Sequence, residues 1–530
     1  MKILVADRIA PAGVEFLKSQ SSYQVLEAYD ADSETLNELI ADAAALIVRS
    51  ETQVTEALIR SAKQLKVIGR AGVGIDNIDV PAATRSGVVV LNAPSGNTIA
   101  AAELTMAHLL CAARPLAQAC ASVKSGTWNR KDFSGWELSG KTLGVIGLGR
   151  IGYEVTRRAR AFGMRIIAFD PNLVPERAKQ LGIPLVALDS LLTQADCITL
   201  HLPLLDSTYH LIDEAAIDKM RDGVVLVNCA RGGIIDEAAL AKAVASGKVA
   251  AAGLDVFEKE PLVAESNLRG LDSVVLTPHL GASTKEAQAG VGLEVAEAVL
   301  NVIEGRPASN CVNIPSVDAD TLFKLNPYLT LAVRLGTLVQ QLAISTPSTL
   351  KITYYGGLAD MNTQAIDRAI QQGFLRNISG ESVNTVNAPL KMKELGVDLA
   401  IGASSAECEY KELIEIEALS QDGTSIRVGG SIFGKGHTPR LVFLGEHAME
   451  VVLEGILLIL ENRDIPGIVG MLGDALARDG INIANLSLSR TEPGACALSV
   501  FSLDEPPASA SLGEIALHEA ISKVHLVHCD

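Results

Sequence analysis

From Met1 to about Pro278, short apolar runs alternate with helical patterns, and this alternation restricts the fold more than any other feature. One series of runs lies between Met1 and about Val90: KILVA, ALIVRS, LKVIGRAG and VVVLN. A second, cleaner series begins after Lys141: TLGVIG, RIIAFD, DCITLHL, GVVLVNCA, AAGLDVF and DSVVLTPH. Such alternation is typical of βαβ units on a parallel sheet. The sequence therefore predicts an α/β fold with two doubly wound, Rossmann-like lobes.

Two long helical patterns flank the second series of strands, Thr98–Arg114 before it and Lys285–Glu304 after it. Their positions indicate that the second lobe is inserted into the first. The two helices are then expected to cross between the lobes, with a cleft between them. We therefore predict a discontinuous substrate-binding domain over 1–97 and 287–315, interrupted by a cofactor-binding domain over 98–286.

The pattern changes after the segment GRPASNCVN. A predicted helix at Thr330–Leu342 is followed by longer strands such as YKELIEIEAL, SIRVGG and PRLVFLG, which indicates an α+β domain over 316–452. The segment 453–530 begins with the apolar strand EGILLILEN and continues through a turn at Pro466–Gly467 into a helix and further strands. This segment is expected to form a fourth, smaller domain.

Charge and apolar composition disfavour several classes of partner. The net charge of −17 disfavours nucleic acid and anionic membranes, and no apolar run approaches the roughly 18 residues that a membrane span needs. The eight cysteines contain no C-x-x-C pair and no disulfide-like spacing, which favours a cytoplasmic protein, and no metal site is predicted. The N-terminal segment MKILVADRIAP is interpreted as a first strand rather than a signal peptide.

A glycine-rich turn, Gly147-Leu-Gly149-Arg-Ile-Gly152, follows the strand TLGVI and opens the next helix. In a dinucleotide-binding turn, the first glycine permits the tight turn and the second lets the pyrophosphate approach the backbone. The third lets helix and strand pack closely, and the helix N-terminus favours the anion. Asp170 ends the next strand, where a carboxylate accepts hydrogen bonds from the ribose and repels a 2′-phosphate. This pattern predicts NAD rather than NADP as the cofactor.

Three polar residues follow later strands of the same lobe: Arg231 after VVLVNCA, Glu260 beyond GLDVF and His279 after VVLTP. Because the carboxyl ends of parallel strands face the ligand crevice, we expect these side chains to converge beside the nicotinamide. A neutral imidazole can take a hydroxyl proton as hydride leaves the carbinol carbon. A carboxylate on its other nitrogen fixes the tautomer, and an arginine binds a substrate carboxylate with two hydrogen bonds. The trio predicts a hydroxy-acid dehydrogenase.

The motifs GLGRIG, NCARGGIIDEAAL, GLDVFEKEP and TPHLGAST resemble those of the D-isomer-specific 2-hydroxy acid dehydrogenases. The full chain is similar to the long-form D-3-phosphoglycerate dehydrogenases, which carry extra C-terminal domains. The resemblance implies oxidation of D-3-phosphoglycerate by NAD to 3-phosphohydroxypyruvate, the first step of L-serine synthesis. It also implies that His279 is the acid–base group, Glu260 its partner and Arg231 the carboxylate binder.

The same resemblance implies a set of cofactor contacts at the strand ends. They are Val73, Gly147, Gly149, Arg150, Ile151, Gly152, Asp170, Cys229, Ala230, Arg231, Asp255, His279, Gly281 and Ala282. Val73 replaces the threonine expected in some members, so a side-chain hydroxyl contact is lost at this position while a backbone contact is retained.

For the substrate, the family pattern implies Arg49, Ser50, Arg70, Asn97 and Arg130. A phosphate and a carboxylate need several cationic or N–H donors in a negatively charged protein, so this set is chemically reasonable. The resemblance also implies that Arg130 reaches the site of a neighbouring subunit. The chain is therefore expected to form a homodimer or homotetramer.

The last segment resembles an ACT domain, a βαββαβ ligand-binding module, through ENRDIPGIVGML and DGINIANLSLSR. The resemblance implies L-serine as an effector at Asn462, Asp464 and Asn482, although asparagine and aspartate also favour turns and caps. Lys435, His437 and Arg440 form a short basic cluster that is expected to be a solvated surface loop.

Two alternatives stay open at this point. One is another D-2-hydroxy acid dehydrogenase, of the glycerate or glyoxylate class, because the trio alone does not distinguish substrates. The other is an NAD-sensing corepressor with the same fold. The extra C-terminal domains and the arginines favour the phosphorylated substrate, and a folded rather than disordered tail disfavours the corepressor.

Overall fold

A computed structural model describes residues 1–306, 308, 310–315, 319–343, 345, 347–380, 382–406, 408–434 and 437–529. The first lobe is a five-stranded parallel sheet with the order β2-β1-β3-β4-β5. Its elements are β1 (Lys2–Val5), α1 (Pro11–Ser19), β2 (Gln24–Glu27), α2 (Ser33–Ile40), β3 (Ala43–Val48), α3 (Glu56–Ser61), β4 (Val67–Arg70), α4 (Val80–Arg85) and β5 (Val89–Leu91). Every residue of β3 is buried, as expected for a central parallel strand covered on both faces.

Two helices, α5 (Thr98–Ala113) and α6 (Leu116–Lys124), lead into a second parallel sheet, whose order is β11-β10-β9-β8-β6-β7. The elements of this lobe are β6 (Thr142–Ile146), α7 (Arg150–Ala161), β7 (Arg165–Phe169), α8 (Pro175–Gln180), α9 (Leu188–Gln194), β8 (Cys197–Leu200), α10 (Glu214–Lys219), β9 (Val224–Asn228), α11 (Glu237–Ser246), β10 (Val249–Leu254), a 3₁₀ turn (Asn267–Gly270) and β11 (Val274–Leu276). The two parallel sheets predicted from the alternation are confirmed.

The helix α12 (Lys285–Ile303) leaves the second lobe and packs on the first sheet. Its Val295 and Val299 lie directly over Gly69 of β4, where a Cβ atom would come within 2.7 Å of a methyl group of each valine. The bounds of α5 and α12 agree with the predicted helices to one residue. Because α12 completes the hydrophobic core of the first sheet, the chain passes from the first lobe to the second and returns.

The third unit contains a mixed six-stranded sheet with the order β13-β12-β14-β15-β16-β17, in which only the β12–β13 pair is parallel. Its elements are α13 (Ala319–Leu342), β12 (Thr349–Gly356), a 3₁₀ turn (Gly357–Asp360), α14 (Gln364–Ser379), α15 (Ala388–Glu394), β13 (Asp398–Ser404), β14 (Glu412–Leu419), β15 (Ser425–Phe433), β16 (Thr438–Leu444) and β17 (His447–Val452). The predicted start of α13 at Thr330 is wrong. The preceding turns carry Pro327 and the exposed Phe323, so they lack a continuous apolar stripe.

The last unit is an antiparallel sheet with the order β19-β20-β18-β21, which gives the predicted βαββαβ arrangement. Its elements are β18 (Ile456–Arg463), α16 (Ile468–Arg478), β19 (Ile483–Arg490), β20 (Cys496–Leu503), α17 (Ser509–Leu517) and β21 (Ile521–His528). Of the predicted basic cluster, Lys435 lies outside the described residues and His437 directly precedes β16. Arg440 lies on β16 rather than in a loop, and its Nη1 donates to Glu450 Oε2 at 3.3 Å. Among the helices that the structure describes, none has both the length and the apolar character needed to cross a bilayer.

Candidate active site

The side chains of His279 and Glu260 form a direct pair at the carboxyl ends of β10 and β11. The His279 Nδ1 atom lies 2.7 Å from Glu260 Oε2, and Glu260 Oε1 accepts a hydrogen bond from the backbone N–H of Phe257 at 3.0 Å. Both side chains are partly exposed to the cleft. A carboxylate at Nδ1 favours the tautomer with its hydrogen on Nδ1, which leaves Nε2 available as a proton acceptor.

The carboxyl group of Glu260 is in the charged form at neutral pH. Burial acts to raise its pKa, but hydrogen bonds from His279 and from the Phe257 N–H, together with the charges of His279 and Arg231, lower it overall. The influence of Arg231 on Glu260 indicates that the three predicted catalytic side chains share one electrostatic environment. The structure therefore joins His279 and Glu260 by a direct hydrogen bond and places Arg231 near enough for its charge to act on Glu260.

The backbone of His279 is held by the buried Asp255 at the end of β10. The Asp255 carboxylate accepts hydrogen bonds from Thr277 Oγ1 at 2.6 Å, Leu280 N at 2.7 Å and Gly281 N at 2.9 Å. The N–H of His279 donates to the Asp255 carbonyl at 2.9 Å. His279 has φ of 54°, a left-handed conformation that is unfavourable for residues other than glycine. Surrounding contacts thus hold the imidazole in a strained backbone position, as is common at functional sites.

The guanidinium of Arg231 lies between the two lobes. Its Nε donates to Asp76 Oδ2 at 3.2 Å, and Asp76 belongs to the loop after β4 in the first lobe. The guanidinium also packs on Gly74, where a Cβ atom would come within 2.2 Å of Nη2. Asn228 fixes the Arg231 loop, because its side chain donates to the Arg231 carbonyl and accepts from the N–H of Ala230.

The three glycines of the turn after β6 differ in their surroundings in the way that a dinucleotide-binding turn requires. Gly147 has φ of 93°, and a Cβ atom on Gly152 would lie 2.1 Å from the Gly147 carbonyl oxygen. By contrast, a Cβ atom on Gly149 would meet nothing within 4 Å. The first and third positions therefore serve the turn and the helix packing, while open space above the second and the N-terminus of α7 fit a pyrophosphate.

Asp170 follows β7 and faces the glycine turn. Its Oδ2 accepts from the N–H of Leu148 at 2.8 Å, and its Oδ1 accepts from Asn172 N at 2.9 Å and Leu173 N at 3.1 Å. This carboxylate therefore stabilises the turn and stands where the adenosine ribose would lie.

Replacement of Asp170 by alanine is expected to raise the ratio of kcat/KM for NADP to that for NAD by roughly tenfold or more, because a charge that repels the 2′-phosphate is removed. Steady-state kinetics with both cofactors measure this ratio. A less stable glycine turn would weaken the binding of both cofactors, so its effect cancels in the ratio. Asp189→Ala serves as the control, since Asp189 is an exposed carboxylate of the same lobe. An unchanged ratio in Asp170→Ala would assign the cofactor preference to other residues.

The other predicted cofactor residues lie at the same edge of the second sheet. Arg150 and Ile151 open α7, Cys229 and Ala230 follow β9, and Gly281 and Ala282 follow the His279 loop. Val73 lies in the loop after β4, on the opposite side of the cleft, where its carbonyl oxygen accepts from Asn92 Nδ2 at 2.7 Å. The structure therefore places Val73 with the first lobe.

Two predicted substrate residues carry buried polar atoms without a partner in the described part of the chain: Arg70 Nε and Asn97 Oδ1. Burial, together with the like charge of Arg231, lowers the pKa of Arg70 to about 10. Such unpaired groups cost free energy, and an anionic ligand supplies the missing partner for a guanidinium. Arg70 therefore fits a site for an anionic group, whereas the Asn97 oxygen fits a hydrogen-bond donor such as a substrate hydroxyl.

The remaining predicted substrate residues differ in their surroundings. The N–H of Arg49 donates to the buried Asp7 at 2.6 Å, and its Nη1 donates to the Arg8 carbonyl at 3.3 Å, whereas Ser50 is exposed. Arg130 lies on an exposed segment after α6 and has no described hydrogen bond or ion pair. Within the described residues, no hydrogen bond or ion pair joins Arg130 to the trio.

Several residues that support the site were missed by the sequence analysis. Asp7 clamps the Arg49 loop through Arg49 N and Thr52, and Asp76 pairs with Arg231. His108 on α5 lies 2.8 Å from Thr277 Oγ1, which in turn donates to Asp255. The available signal for Asp7 was a carboxylate near the carboxyl end of a strand, since Asp7 follows β1 by two residues in KILVAD.

The three predicted effector residues occupy different environments in the last unit. Asn462 is buried, its Nδ2 donates to the Arg463 carbonyl, and its Oδ1 accepts from Ser499 Oγ at 3.0 Å. Asp464 accepts from Arg490 at 2.8 Å, and Asn482 donates to Asp504 at 3.0 Å. Each polar side chain therefore has an internal partner.

Comparison with family models gives independent information on two regions. The model for the NAD binding domain of D-isomer specific 2-hydroxyacid dehydrogenases matches residues 106–281. The model for the D-3-phosphoglycerate dehydrogenase intervening domain matches residues 324–444. Together with the glycine turn and the His279–Glu260 pair, these matches define an NAD-dependent dehydrogenase of 2-hydroxyacids.

Similar proteins extend the match over almost the whole chain. A D-3-phosphoglycerate dehydrogenase of Archaeoglobus fulgidus is 40% identical over 523 residues, which is 98% of both chains. One of Methanocaldococcus jannaschii is 44% identical over 505 residues, 95% of each chain. The crystal structure of a glyoxylate reductase from Paecilomyes thermophila is 36% identical with a TM-score of 0.55, and it covers 59% of this chain and 98% of its own. The chain belongs to the D-3-phosphoglycerate dehydrogenase family, and its cofactor is NAD.

Proposed function

We propose that this protein oxidises D-3-phosphoglycerate to 3-phosphohydroxypyruvate with NAD, the first step of L-serine synthesis. The observation that carries the proposal is the His279–Glu260 pair beside Arg231, at the edge of a sheet with an NAD-binding turn. The unpartnered Arg70 Nε across the cleft supports an anionic substrate, and the unpartnered Asn97 oxygen supports a substrate that carries a hydroxyl group. The coverage of 95–98% by relatives named for this activity supports the phosphorylated substrate over shorter hydroxy acids.

The reaction needs a group that accepts the hydroxyl proton and a group that holds the substrate carboxylate in a fixed orientation. NAD, when bound, accepts the hydride. His279 Nε2 takes the proton of the C2 hydroxyl as hydride leaves C2, and Glu260 stabilises the resulting imidazolium through Nδ1. Arg231 binds the substrate carboxylate and, in the reverse direction, polarises the adjacent carbonyl.

Cofactor binding is proposed to involve the residues at the edge of the second sheet. The glycines of the turn and Arg150–Ile151 bind the pyrophosphate, Asp170 binds the ribose, and Asp255 and Ala282 contact the nicotinamide end. Arg49, Ser50, Arg70 and Asn97 are proposed to bind the substrate from the first lobe, and Arg130 is proposed to bind it from a partner subunit.

The test of this function is direct. We expect NADH formation, followed by absorbance, with D-3-phosphoglycerate as substrate and a far lower kcat/KM with D-glycerate. Comparable rates with D-glycerate, glycolate or D-lactate would assign the protein to another substrate class. Binding of NADH without turnover of any hydroxy acid would favour the corepressor alternative, which the similar proteins do not support.

The domain boundaries are proposed as 1–97 with 287–315, 98–286, 316–452 and 453–530. Each range contains one of the four sheets or completes one. The βαββαβ order of the last range supports an ACT domain.

L-Serine is proposed as an effector of this domain, with Asp464 and the exposed Asn482 as its polar contacts. The strand register separates these two residues along the sheet, so a single site would take them from two copies of the chain. Asn462 is proposed to support the site from the core, since its side chain is buried. Unchanged rates at millimolar L-serine would argue against this role.

A homodimer or homotetramer is proposed on the basis of the segment around α6. Leu116, Val123 and Trp128 are exposed by 63%, 54% and 79%, and they lie on the same segment as Arg130. An exposed apolar patch of this kind is typical of a subunit interface. Light scattering should therefore give at least twice the monomer mass, and Trp128→Ser should weaken the assembly.

The eight thiols support a reducing, cytoplasmic location.

A further inference from the structure

A cavity of about 380 Å³ lies beside the catalytic cleft, between the β1–α1 loop, the β3–α3 loop and the start of α12. Three cationic residues line it: Arg8, Arg49 and Lys285. The other lining residues are uncharged and mostly small, and they include Ala10, Ala12, Ala71, Ala282 and Gly292. No carboxylate is among them, which is notable in a chain with a net charge of −17.

The position of the cavity connects it to the reaction site. Ala71 directly follows Arg70, and Ala282 follows His279 by three residues. The carboxyl ends of β1 and β3, which supply Arg8 and Arg49, lie at the sheet edge that faces the cleft. The cavity therefore lies next to the place where the hydroxyl-bearing carbon of the substrate reacts, and away from the glycine turn that binds the pyrophosphate.

The charges of Arg8 and Lys285 are available to a ligand. Among the described residues, the Arg8 guanidinium pairs with Asp30 alone, at 2.9 Å, and it lies over the Tyr29 ring. The side chains of Arg8 and Asp30 are 69% and 75% exposed. Exposed pairs of this kind contribute little free energy and exchange readily. Lys285 is exposed at the first turn of α12, and no partner of its ammonium group is described. The positive end of this helix adds to the local field.

We infer that this cavity binds the phosphate group of the substrate, with Arg8 and Lys285 acting beside Arg49 as residues that determine specificity for a phosphorylated hydroxy acid. The inference rests on the proposed function. The phosphorus atom is three bonds from C2, so the phosphate occupies the cavity while the C2 hydroxyl meets His279. A phosphate carries a charge of about −1.5 to −2 at neutral pH, which three cations balance better than Arg49 alone.

The test compares a phosphorylated with an unphosphorylated substrate in the reverse direction, 3-phosphohydroxypyruvate and hydroxypyruvate, each with NADH. Arg8→Gln and Lys285→Gln should each lower kcat/KM for 3-phosphohydroxypyruvate by roughly tenfold, because each removes a charge-assisted contact. The kcat/KM for hydroxypyruvate should stay within about twofold of the wild-type value. Competitive inhibition by inorganic phosphate should weaken in the double variant.

Arg60→Gln and Lys63→Gln are the matched controls, because both residues are cations near the surface of the same lobe and neither lines the cavity. Equal losses on both substrates, or unchanged kcat/KM for 3-phosphohydroxypyruvate, would overturn the inference. If the wild-type enzyme prefers the phosphorylated substrate and the variants keep that preference, the inference is wrong but the proposed function stands. A wild-type enzyme without activity on the phosphorylated substrate contradicts the proposed function itself.

Discussion

Replacement of His279 by alanine is expected to lower kcat by about 10²–10⁴-fold, the range usual for loss of a positioned general base. Within the trio the imidazole is the group placed to accept the hydroxyl proton, since Glu260 is hydrogen-bonded to Nδ1 and a guanidinium has no acceptor atom. Steady-state assays of NADH formation from D-3-phosphoglycerate measure the loss.

The His279→Ala variant should retain its fold and its affinity for NADH. A second variant, His279→Gly, relieves the left-handed backbone of His279, which costs roughly 1–2 kcal/mol for an L-residue. This second variant should therefore unfold at the same or a higher temperature than the wild type while losing activity. Fluorescence titration of NADH and thermal unfolding provide these two controls. A His279→Ala enzyme with near-normal kcat would remove this residue from the mechanism.

Replacement of Arg231 by glutamine is expected to lower kcat/KM by roughly 10²-fold, which corresponds to about 3 kcal/mol of activation free energy. A loss of this size is typical when one partner of a partly buried charge pair is removed. Arg231 is 24% exposed and spans the lobes to Asp76, so its loss removes both the proposed carboxylate anchor and a contact that holds the cleft. The effect should appear mainly in kcat/KM at saturating NAD.

Two comparisons separate these contributions. Arg231→Lys keeps the charge but lacks the planar fork, so most of the loss should persist if two parallel hydrogen bonds to the carboxylate matter. Arg221→Gln is the matched control, because Arg221 pairs with Asp196 at the opposite end of β9. Full activity in Arg231→Gln would show that the carboxylate binds elsewhere.

Local sequence patterns were sufficient to predict the two parallel sheets, because a parallel strand is buried on both faces and leaves a continuous apolar run. The runs ALIV in β3 and VVLVN in β9 are examples, and all residues of both observed strands are buried. The spacing of Gly147, Gly149 and Gly152 likewise follows from backbone geometry that is local to one turn. The trio could be predicted because strand ends share one sheet edge.

Contacts between the lobes could not be predicted in the same way. The Asp76–Arg231 pair joins residues 155 positions apart, and the lobes bring Arg8 near Lys285 through the path of α12. Neither pairing leaves a periodic signal in the sequence. The left-handed conformation of His279 also escaped the sequence analysis, since it results from the tertiary hydrogen bonds of Asp255 rather than from a glycine.

The central claim is that His279, Glu260 and Arg231 meet around the substrate beside the nicotinamide. A crystal structure of the protein with NADH and 3-phosphohydroxypyruvate tests it most directly. We expect the C2 oxygen within hydrogen-bonding distance of His279 Nε2, the carboxylate on the Arg231 guanidinium and C2 next to the nicotinamide ring. A substrate whose C2 oxygen lies away from His279, or whose carboxylate is held by other residues, would contradict this mechanism.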